Sequence, residues 1–244
     1  MPQAAAETPG LRYAGKVKRR LVLSWSSGKD SAWALHFLRQ SGDYEIASLL
    51  TTLNTRFDRV AMHSTRRALV EAQAAAAGLP LHLVPLPWPC SNQHYESAMR
   101  AACTTILASG ADTMAFGDLF LEDVRRYREE KLQGTGLTPV FPVWGLDTRE
   151  LARQMIAAGL RARIVCVDPK KLPAEFAGRD FDADFLRDLP PGVDPCGENG
   201  EFHSVVYAGP MFREPIPIES GDVVERDGFV FADVRLAEPA TVPA

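Results

Sequence analysis

The stretch Arg20-Leu21-Val22-Leu23-Ser24-Trp25-Ser26-Ser27-Gly28-Lys29-Asp30-Ser31 decides the fold class of this 244-residue chain. A short apolar run leads into serines and a glycine, and apolar residues at helical spacing follow from Asp30 to Gln40. This order predicts a buried strand, a tight turn and a helix. The turn then lies at the carboxyl end of the first strand, where parallel sheets bind their ligands.

The same alternation of strand and helix continues to about residue 117. Further strands are predicted over residues 44–52, 79–86 and 113–117, and helices over residues 64–77 and 91–109. Parallel strands need long crossover connections, which these helices supply. The sequence therefore predicts an α/β fold, with a parallel, doubly wound, Rossmann-like sheet that carries helices on both faces.

The second half of the chain has a different pattern. Helices are predicted over residues 124–131 and 148–158, a strand over residues 162–167, and several short strands over residues 202–236. Residues 137–144 are interrupted by prolines and are left without a predicted element. We expect a nucleotide-binding domain over residues 1–135 and a smaller α+β domain over residues 136–244.

Composition and charge exclude several classes of protein. The chain is 46% hydrophobic and 24% charged, which is ordinary for a globular protein, and its net charge of −4 argues against nucleic acid as a partner. No apolar run approaches the ~20 residues that cross a bilayer, and no secretory signal is visible. The four cysteines form no C-x-x-C pair, so neither a zinc site nor a disulfide framework is indicated. We expect a cytoplasmic protein without a membrane partner.

The turn from Ser26 to Ser31 has the chemistry of an anion-binding loop. Its small residues allow successive backbone N–H groups to surround an anion, and the start of the following helix adds unpaired N–H donors. Lys29 supplies a positive charge, and Asp30 can cap the helix or hold Mg²⁺. On the residues alone, an ordinary capped strand-to-helix turn remains the alternative.

A second polar segment is Asp194-Pro195-Cys196-Gly197-Glu198-Asn199-Gly200-Glu201-Phe202-His203, just before a predicted strand. Its carboxylates can bind Mg²⁺ or an amine, and His203 can carry a proton near neutral pH. A solvated acidic turn is the alternative, and the residue types alone favour it.

Both segments, with a third between them, resemble the PP-loop ATP pyrophosphatases and, within them, the diphthine–ammonia ligase family. Residues 26–31 are similar to the S-G-G-x-D-S loop, with Ser27 in place of the first glycine. If that position needs a positive φ, serine costs energy that glycine does not. Residues 197–204 resemble the signature G-E-x-G-E-F-H-[ST], and residues 117–129 resemble a G-D/A-I … R-x-x-x-E stretch.

The resemblance implies a HUP-type domain and an enzyme that uses ATP and Mg²⁺. Members adenylate a carboxylate, release pyrophosphate and let ammonia displace AMP. Their archetypal acceptor, diphthine on elongation factor 2, applies only to archaea and eukaryotes, so the acceptor here is an unidentified carboxylate. A PP-loop thiolase that modifies tRNA and a nucleotide-binding protein without turnover remain alternatives. The ammonia source and the oligomeric state stay open, with a homodimer among the options.

The motifs and their places on the predicted strands give a set of candidate site residues. The predicted catalytic residues are Lys29, Asp30, Glu198, Glu201 and His203. The predicted ATP-binding residues are Ser24, Ser26, Ser27, Gly28, Lys29, Asp30, Ser31, Thr51, Thr52, Asn54, Gly117 and Asp118. Substrate contacts are predicted for His63, Arg125, Glu129, Gly197, Asn199 and Gly200. The predicted metal ligands are Asp30 and Asp118.

Overall fold

A computed structural model describes residues 18–60 and 63–238. The strands are β1 Arg19–Ser24, β2 Tyr44–Asn54, β3 Arg59–Val60, β4 Leu81–Leu86, β5 Thr113–Ala115, β6 Thr138–Val140, β7 Arg161–Val167, β8 Phe202–Ala208, β9 Ile218–Arg226 and β10 Phe229–Leu236. The helices are α1 Lys29–Ser41, α2 Arg67–Ala77, α3 Asn92–Ala108, α4 Glu122–Leu132, α5 Thr148–Ala157 and α6 Ala183–Asp188. A 3-10 turn, Ala174–Phe176, precedes α6. None of the helices within the two described ranges is long and apolar enough to cross a membrane.

The first sheet is mostly parallel and has β1 at its centre. β1 pairs in parallel with β2 and β5, β4 pairs with β2, and β6 pairs with β5. The short β3 adds to the end of β2 in the antiparallel sense. Side chains of β1 alternate between two buried clusters: Leu21 and Leu23 belong to the cluster that includes α1 and α2, and Val22 to the cluster that includes α3 and α4. The predicted α/β fold, with helices on both faces of the sheet, is confirmed.

The C-terminal part forms a separate antiparallel sheet in the order β8-β7-β10-β9. The predicted change of pattern in the second half of the chain therefore corresponds to a second sheet. The strand β6, which sequence patterning left unassigned, belongs to the first sheet and contains Pro139. Within residues 18–60 and 63–238 its one partner strand is β5, and an edge strand tolerates proline because it needs no donor on its open side. The domain boundary at residue 135 stays a prediction.

A buried polar network joins the second sheet to the turn after β1. The backbone N–H of Val206 in β8 donates to the carbonyl of Ser27 at 3.0 Å. The side-chain amide of Gln73 in α2 donates to the carbonyls of Ser27 at 3.0 Å and Val206 at 2.7 Å. It also accepts from the indole N–H of Trp25 at 2.8 Å. Gln73 is fully buried, so this one side chain fixes the turn against both α2 and β8.

Replacement of Gln73 by leucine is expected to lower the free energy of unfolding by about 3 kcal/mol, because the buried indole N–H of Trp25 loses its acceptor and the carbonyl of Val206 loses a donor. Urea unfolding followed by fluorescence measures the change. The control is Gln154→Leu on the exposed face of α5, for which we expect a change within about 0.5 kcal/mol. Equal stabilities of the two variants would contradict the structural role of Gln73.

Candidate functional site

A cavity of about 240 Å³ opens at the carboxyl edge of the first sheet. Its walls come from the turn after β1, the connection between β5 and α4, and the residues around the start of β8. The lining residues are Ser24, Ser26, Lys29, Asp30, Ser31, His63, Phe116, Gly117, Asp118, Leu121, Val124, Arg128, Cys196, Gly197, Glu198, Phe202, His203 and Ser204. Folding therefore brings residues from all three sequence motifs to one cavity.

In the turn after β1, one serine has a left-handed backbone conformation. Ser27 has φ 72°, at the position where the related loop carries glycine. Its hydroxyl is 2.7 Å from the hydroxyl of Thr65, and the residue is fully buried. At Gly28, a Cβ atom would lie 3.1 Å from the ring of His63 and 3.2 Å from the carbonyl of Ser204. A hydrogen bond thus compensates the unfavourable φ of Ser27, and the turn keeps its close approach to β8.

Two charges, Lys29 and Asp30, are held together at the start of α1. The ammonium group of Lys29 lies 2.9 Å from Asp30 Oδ2 and also donates to the carbonyl of Cys196. Burial is the largest influence on the pKa of Lys29 and lowers it, but the charge and hydrogen bond of Asp30, together with nearby Cys196 and Glu198, raise the pKa overall. Burial raises the pKa of the Asp30 carboxyl despite the nearby ammonium. Asp30 Oδ1 is buried and has no hydrogen-bond partner among the described residues, so one carboxylate oxygen stays available at the wall.

Glu198 presents a carboxyl group that titrates near neutral pH. Burial is the main cause, and with the nearby carboxylate of Asp30 it raises the pKa of Glu198 to about 7. The backbone N–H of Leu119 donates to Glu198 Oε1 at 2.8 Å and partly opposes that shift. A pKa close to the working pH is what general acid–base catalysis needs. Glu198 is therefore suited to exchange a proton in this cavity.

The two histidines at the cavity pack against each other and are both neutral at pH 7. The rings of His63 and His203 have centroids 4.5 Å apart. Burial, together with the charge of Lys29, lowers the pKa of His203 to about 4. Burial and the neighbouring His203 lower the pKa of His63 well below its ordinary value. Both side chains can accept a hydrogen bond from a ligand, but neither carries a positive charge.

Gly117 allows the end of β5 to approach the backbone of α1. A Cβ atom at this position would lie 2.8 Å from the carbonyl carbon of Asp30 and 2.8 Å from the backbone nitrogen of Ser31. Both contacts are to backbone atoms, which cannot rotate away. The absence of a side chain at Gly117 therefore sets the distance between β5 and the first turn of α1.

Replacement of Gly117 by alanine is expected to displace the first turn of α1, to lower the free energy of unfolding by about 1–3 kcal/mol and to weaken ATP binding. Calorimetric titration with ATP and urea unfolding measure the two effects. In the control Gly221→Ala, the atoms nearest the new Cβ belong to the side chain of Asp233, at 3.0 Å, and not to backbone. Wild-type ATP affinity and stability in Gly117→Ala would refute the close-approach argument.

Asp118 lines the cavity, but both of its carboxylate oxygens are bonded to Arg128. The guanidinium Nε of Arg128 donates to Oδ2 of Asp118, and a second nitrogen donates to Oδ1 at 3.0 Å. The guanidinium also lies 4.5 Å above the ring of Phe116. To bind a metal ion, Asp118 would have to give up part of its ion pair with Arg128. The predicted metal role of Asp118 stays a prediction.

Three residues of the acidic segment hold its shape from outside the cavity wall. Oε1 of the buried Glu201 accepts from the backbone N–H of Asp194 and the amide of Asn199, both at 3.1 Å. The carbonyl of Asn199 accepts from Lys171 at 2.7 Å, and Gly200 has φ 80°. These contacts define a folded turn, and the predicted catalytic and substrate roles of the three residues stay predictions.

The predicted residues at the end of β2 also lie away from the cavity. The hydroxyl of Thr51 donates to the carbonyl of Trp25 at 2.8 Å, and Thr51 is buried. Asn54 Oδ1 accepts from the backbone N–H of Arg56 at 3.0 Å. Thr52 is half-buried, and none of the three residues contributes to the wall. Their predicted contact with adenine or ribose stays a prediction.

Arg125 and Glu129 pair with each other on the outer side of α4. Arg125 Nε lies 2.8 Å from Glu129 Oε1, and the guanidinium lies 4.8 Å from the ring centroids of Phe141 and Trp144. Neither residue lines the cavity. Their predicted substrate contacts also stay predictions.

Arg128 was not predicted from the sequence, and Asp194 was considered only as one of the carboxylates of the acidic segment. Arg128 follows Leu121 and Val124 at spacings of seven and four, which places all three on one helical face, so its place at the cavity could have been predicted. Asp194 Oδ2 accepts the backbone N–H groups of Cys196 at 3.2 Å and Glu198 at 2.9 Å. An aspartate that bonds the backbone two residues on is a recognised turn motif, and this one orients the whole segment.

Comparison with known protein families divides the chain into two consecutive matches. The chain matches the family model of the diphthamide synthase N-terminal domain over residues 19–138 and that of the diphthamide synthase C-terminal domain over residues 147–234. The two matches follow each other and cover most of the chain. This protein belongs to the diphthamide synthase family, which confirms the resemblance seen in the motifs.

The chain is similar to several curated proteins named diphthine–ammonia ligase. It is 31% identical to that of Homo sapiens over 120 residues, which are 47% of this chain and 45% of the human protein. It is 30% identical to those of Bos taurus and Mus musculus, each over 120 residues with the same coverage. The chain spans less than half the length of the curated relatives it matches.

Proposed function

We propose that this protein is an ATP-dependent carbon–nitrogen ligase. In this proposal it adenylates a carboxylate, which releases pyrophosphate, and then lets ammonia displace AMP to form an amide. The observation that carries the proposal is the single cavity in which the turn at the start of α1 faces Glu198. The name diphthine–ammonia ligase, borne by the relatives, supports ammonia as the second substrate.

The start of α1 is assigned to the phosphates that leave as pyrophosphate. The helix N-terminus offers backbone N–H donors. The hydroxyls of Ser26 and Ser31 lie 3.1 Å apart at the same wall. That of Ser31 donates to the carbonyl of Gly28 at 3.0 Å, and rotation of the two hydroxyls lets them donate to phosphate oxygens instead. Lys29 adds a buried positive charge, which offsets the charge that develops on the leaving group.

Mg²⁺ fits this wall through Asp30. Its Oδ1 is buried without a partner, whereas both oxygens of Asp118 bond Arg128. The described residues contain no group of three or more His, Cys, Asp and Glu side chains that could hold a metal ion without help from a ligand. Mg²⁺ at phosphate sites is commonly held by one or two carboxylates together with the phosphates, so we assign Asp30 as its protein ligand. When bound, the ion offsets negative charge on the phosphates.

Glu198 is assigned to the ammonia half of the reaction. Ammonia enters as ammonium or is formed from it, and a proton must leave before or as the C–N bond forms. Glu198, with a pKa of about 7, can accept that proton at neutral pH. The neutral rings of His63 and His203 can accept hydrogen bonds from ammonium without repelling its charge.

The alternative functions have less support. A thiolase needs a reactive thiolate, but burial raises the pKa of the Cys196 thiol far above its ordinary value and the thiol donates to the carbonyl of Thr148 at 3.4 Å. A nucleotide-binding protein without turnover was suggested by Ser27; against it, Ser27 adopts φ 72° and its hydroxyl lies 2.7 Å from that of Thr65. Diphthine on elongation factor 2 is the proposed acceptor only if the organism makes diphthamide, and cytoplasmic location and a homodimer remain predictions.

The ammonia step is tested with [15N]ammonium, Mg²⁺-ATP and a small-molecule extract of the source cells. Mass spectrometry should detect a product that carries 15N in a new amide only when enzyme, ATP and ammonium are all present. The control enzyme is Glu150→Gln, an exposed change on α5 that should leave the product intact. AMP formation that is independent of ammonium, with no 15N in any product, would overturn the assignment as an ammonia ligase.

A further inference from the structure

A second, larger cavity of about 490 Å³ lies between α3 and α4. Its floor is apolar and buried, and consists of Cys103, Met114, Phe116 and Leu132. Its rim is charged and includes Glu96, Arg100, Glu130 and Lys131. Lys131 and Glu96 form an ion pair of 2.6 Å that links the two helices across the rim. An apolar floor with a few polar groups at the rim is the usual character of a site for a small organic molecule.

The two cavities have Phe116 and Arg128 as common lining residues. The central carbon of the Arg128 guanidinium lies 4.5 Å from the ring centroid of Phe116, and two of the guanidinium nitrogens bond Asp118. Its third nitrogen, Nη1, has no hydrogen-bond partner among the described residues. Arg128 therefore offers a fixed, partly free guanidinium edge at the junction of the two cavities. A guanidinium is the side chain best suited to bind a carboxylate with two parallel hydrogen bonds.

We propose that the larger cavity binds the acyl acceptor as a small-molecule carboxylic acid with an apolar body, and that Arg128 binds its carboxylate. This inference rests on the proposed function. The apolar floor takes the body of the acid, and Arg128 directs the carboxylate towards the smaller cavity, where the phosphates are assigned. Asp118 acts as the positioning residue of Arg128, since it bonds two of the guanidinium nitrogens.

The cavity contains two natural reporters, Met99 and Met114, whereas Met155 and Met211 lie in the other buried cluster. We therefore choose NMR of the protein labelled with 13C at the methionine methyl groups. The probe is 4-phenylbutyrate, an acid with an apolar body, and its uncharged amide is the matched control. We expect saturable shifts at Met99 and Met114 with the acid, no shifts at Met155 or Met211, and a Kd at least about tenfold weaker for the amide.

Three variants test the role of Arg128 in this binding. Arg128→Gln should weaken 4-phenylbutyrate binding about tenfold or more, and Asp118→Asn, which keeps the guanidinium but loosens its support, should weaken it less. Arg126→Gln is the control, because Arg126 is exposed on the same helix and lines neither cavity. Equal affinities of wild type and Arg128→Gln, with the spectrum of a folded protein, would overturn the assignment of Arg128.

The same spectra decide whether the larger cavity is a nucleotide site instead. If the nucleotide binds in the smaller cavity, α,β-methylene-ATP and 4-phenylbutyrate should bind to the protein at the same time. Competition between them at Met99 and Met114, or no binding of the acid, would overturn the proposal. Binding is measured without turnover, so this result is independent of the AMP assay. If the acid binds but no AMP forms, the proposed function is contradicted and the proposed binding site is not.

Discussion

Replacement of Lys29 by methionine is expected to reduce AMP formation about 100- to 1,000-fold and to lower the free energy of unfolding by about 3 kcal/mol. Methionine keeps the apolar stem, so the lost group is the ammonium, which lies 5.7 Å and 5.2 Å from the ring centroids of Phe181 and Phe202. The activity falls because the leaving phosphates lose a positive charge. The stability falls because the carboxylate of Asp30 is left without its partner at 2.9 Å.

The destabilisation of Lys29→Met should depend on pH in a defined direction. Burial already raises the pKa of Asp30, and loss of the ammonium raises it further. A carboxyl group with a raised pKa in the folded state destabilises the fold increasingly as the pH rises through that value. Urea unfolding at pH 5 and pH 8 should therefore show the larger loss at pH 8.

The double variant Lys29→Met/Asp30→Asn separates folding from chemistry. Removal of both charges should restore most of the lost stability, since neither is then left unpaired. AMP formation should remain low, because neither the positive charge nor the carboxylate returns. Full activity in the double variant would show that this pair has a structural role only.

Replacement of Glu198 by glutamine is expected to reduce AMP formation at pH 8 by about 100-fold and to remove one limb of the pH profile. In the wild type, the carboxylate form of Glu198 accumulates as the pH rises through about 7, so activity should rise with it. His203, with a pKa of about 4, is neutral over that range and adds no second limb. Glutamine does not titrate, so the rise near pH 7 should disappear.

Rates at saturating ammonium from pH 5.5 to pH 8.5 test this expectation. The titration of ammonium itself is common to both enzymes, and the ratio of the two profiles removes it. Glu150→Gln, an exposed change on α5, should reproduce the wild-type profile. A limb near pH 7 that persists in Glu198→Gln would assign the proton transfer to another group.

The sheet domain was predictable because its elements carry local signals. The apolar run of β1, the serine and glycine turn and the periodicity of α1 each indicate one conformation, and they agree with each other. The two-residue β3 is too short for any periodicity, and Pro139 in β6 contradicts strand propensity. For the second sheet the sequence predicted strands but not which strands pair. β7 and β8 are separated by some forty residues, and no local sequence pattern indicates a pairing over that distance.

The site was predictable only where chemistry is concentrated in one segment. Residues of the loop at Ser26–Ser31 and Glu198 were singled out, and the structure brings them to one cavity. Thr51 was predicted to contact adenine or ribose from its place at a strand end; its hydroxyl bonds the carbonyl of Trp25, and the predicted contact remains untested. Arg128 was overlooked because a charged helix usually faces solvent, and only the packing of α4 shows which of its charges faces inward.

The position at which ATP is cleaved tests the central claim most directly. Purified enzyme is given Mg²⁺-ATP, ammonium and the small-molecule extract, and the nucleotide products of wild type and Asp30→Ala are separated by chromatography. The proposed chemistry predicts AMP and pyrophosphate in equal amounts from the wild type and neither from Asp30→Ala. Formation of ADP and inorganic phosphate by the wild type would contradict it.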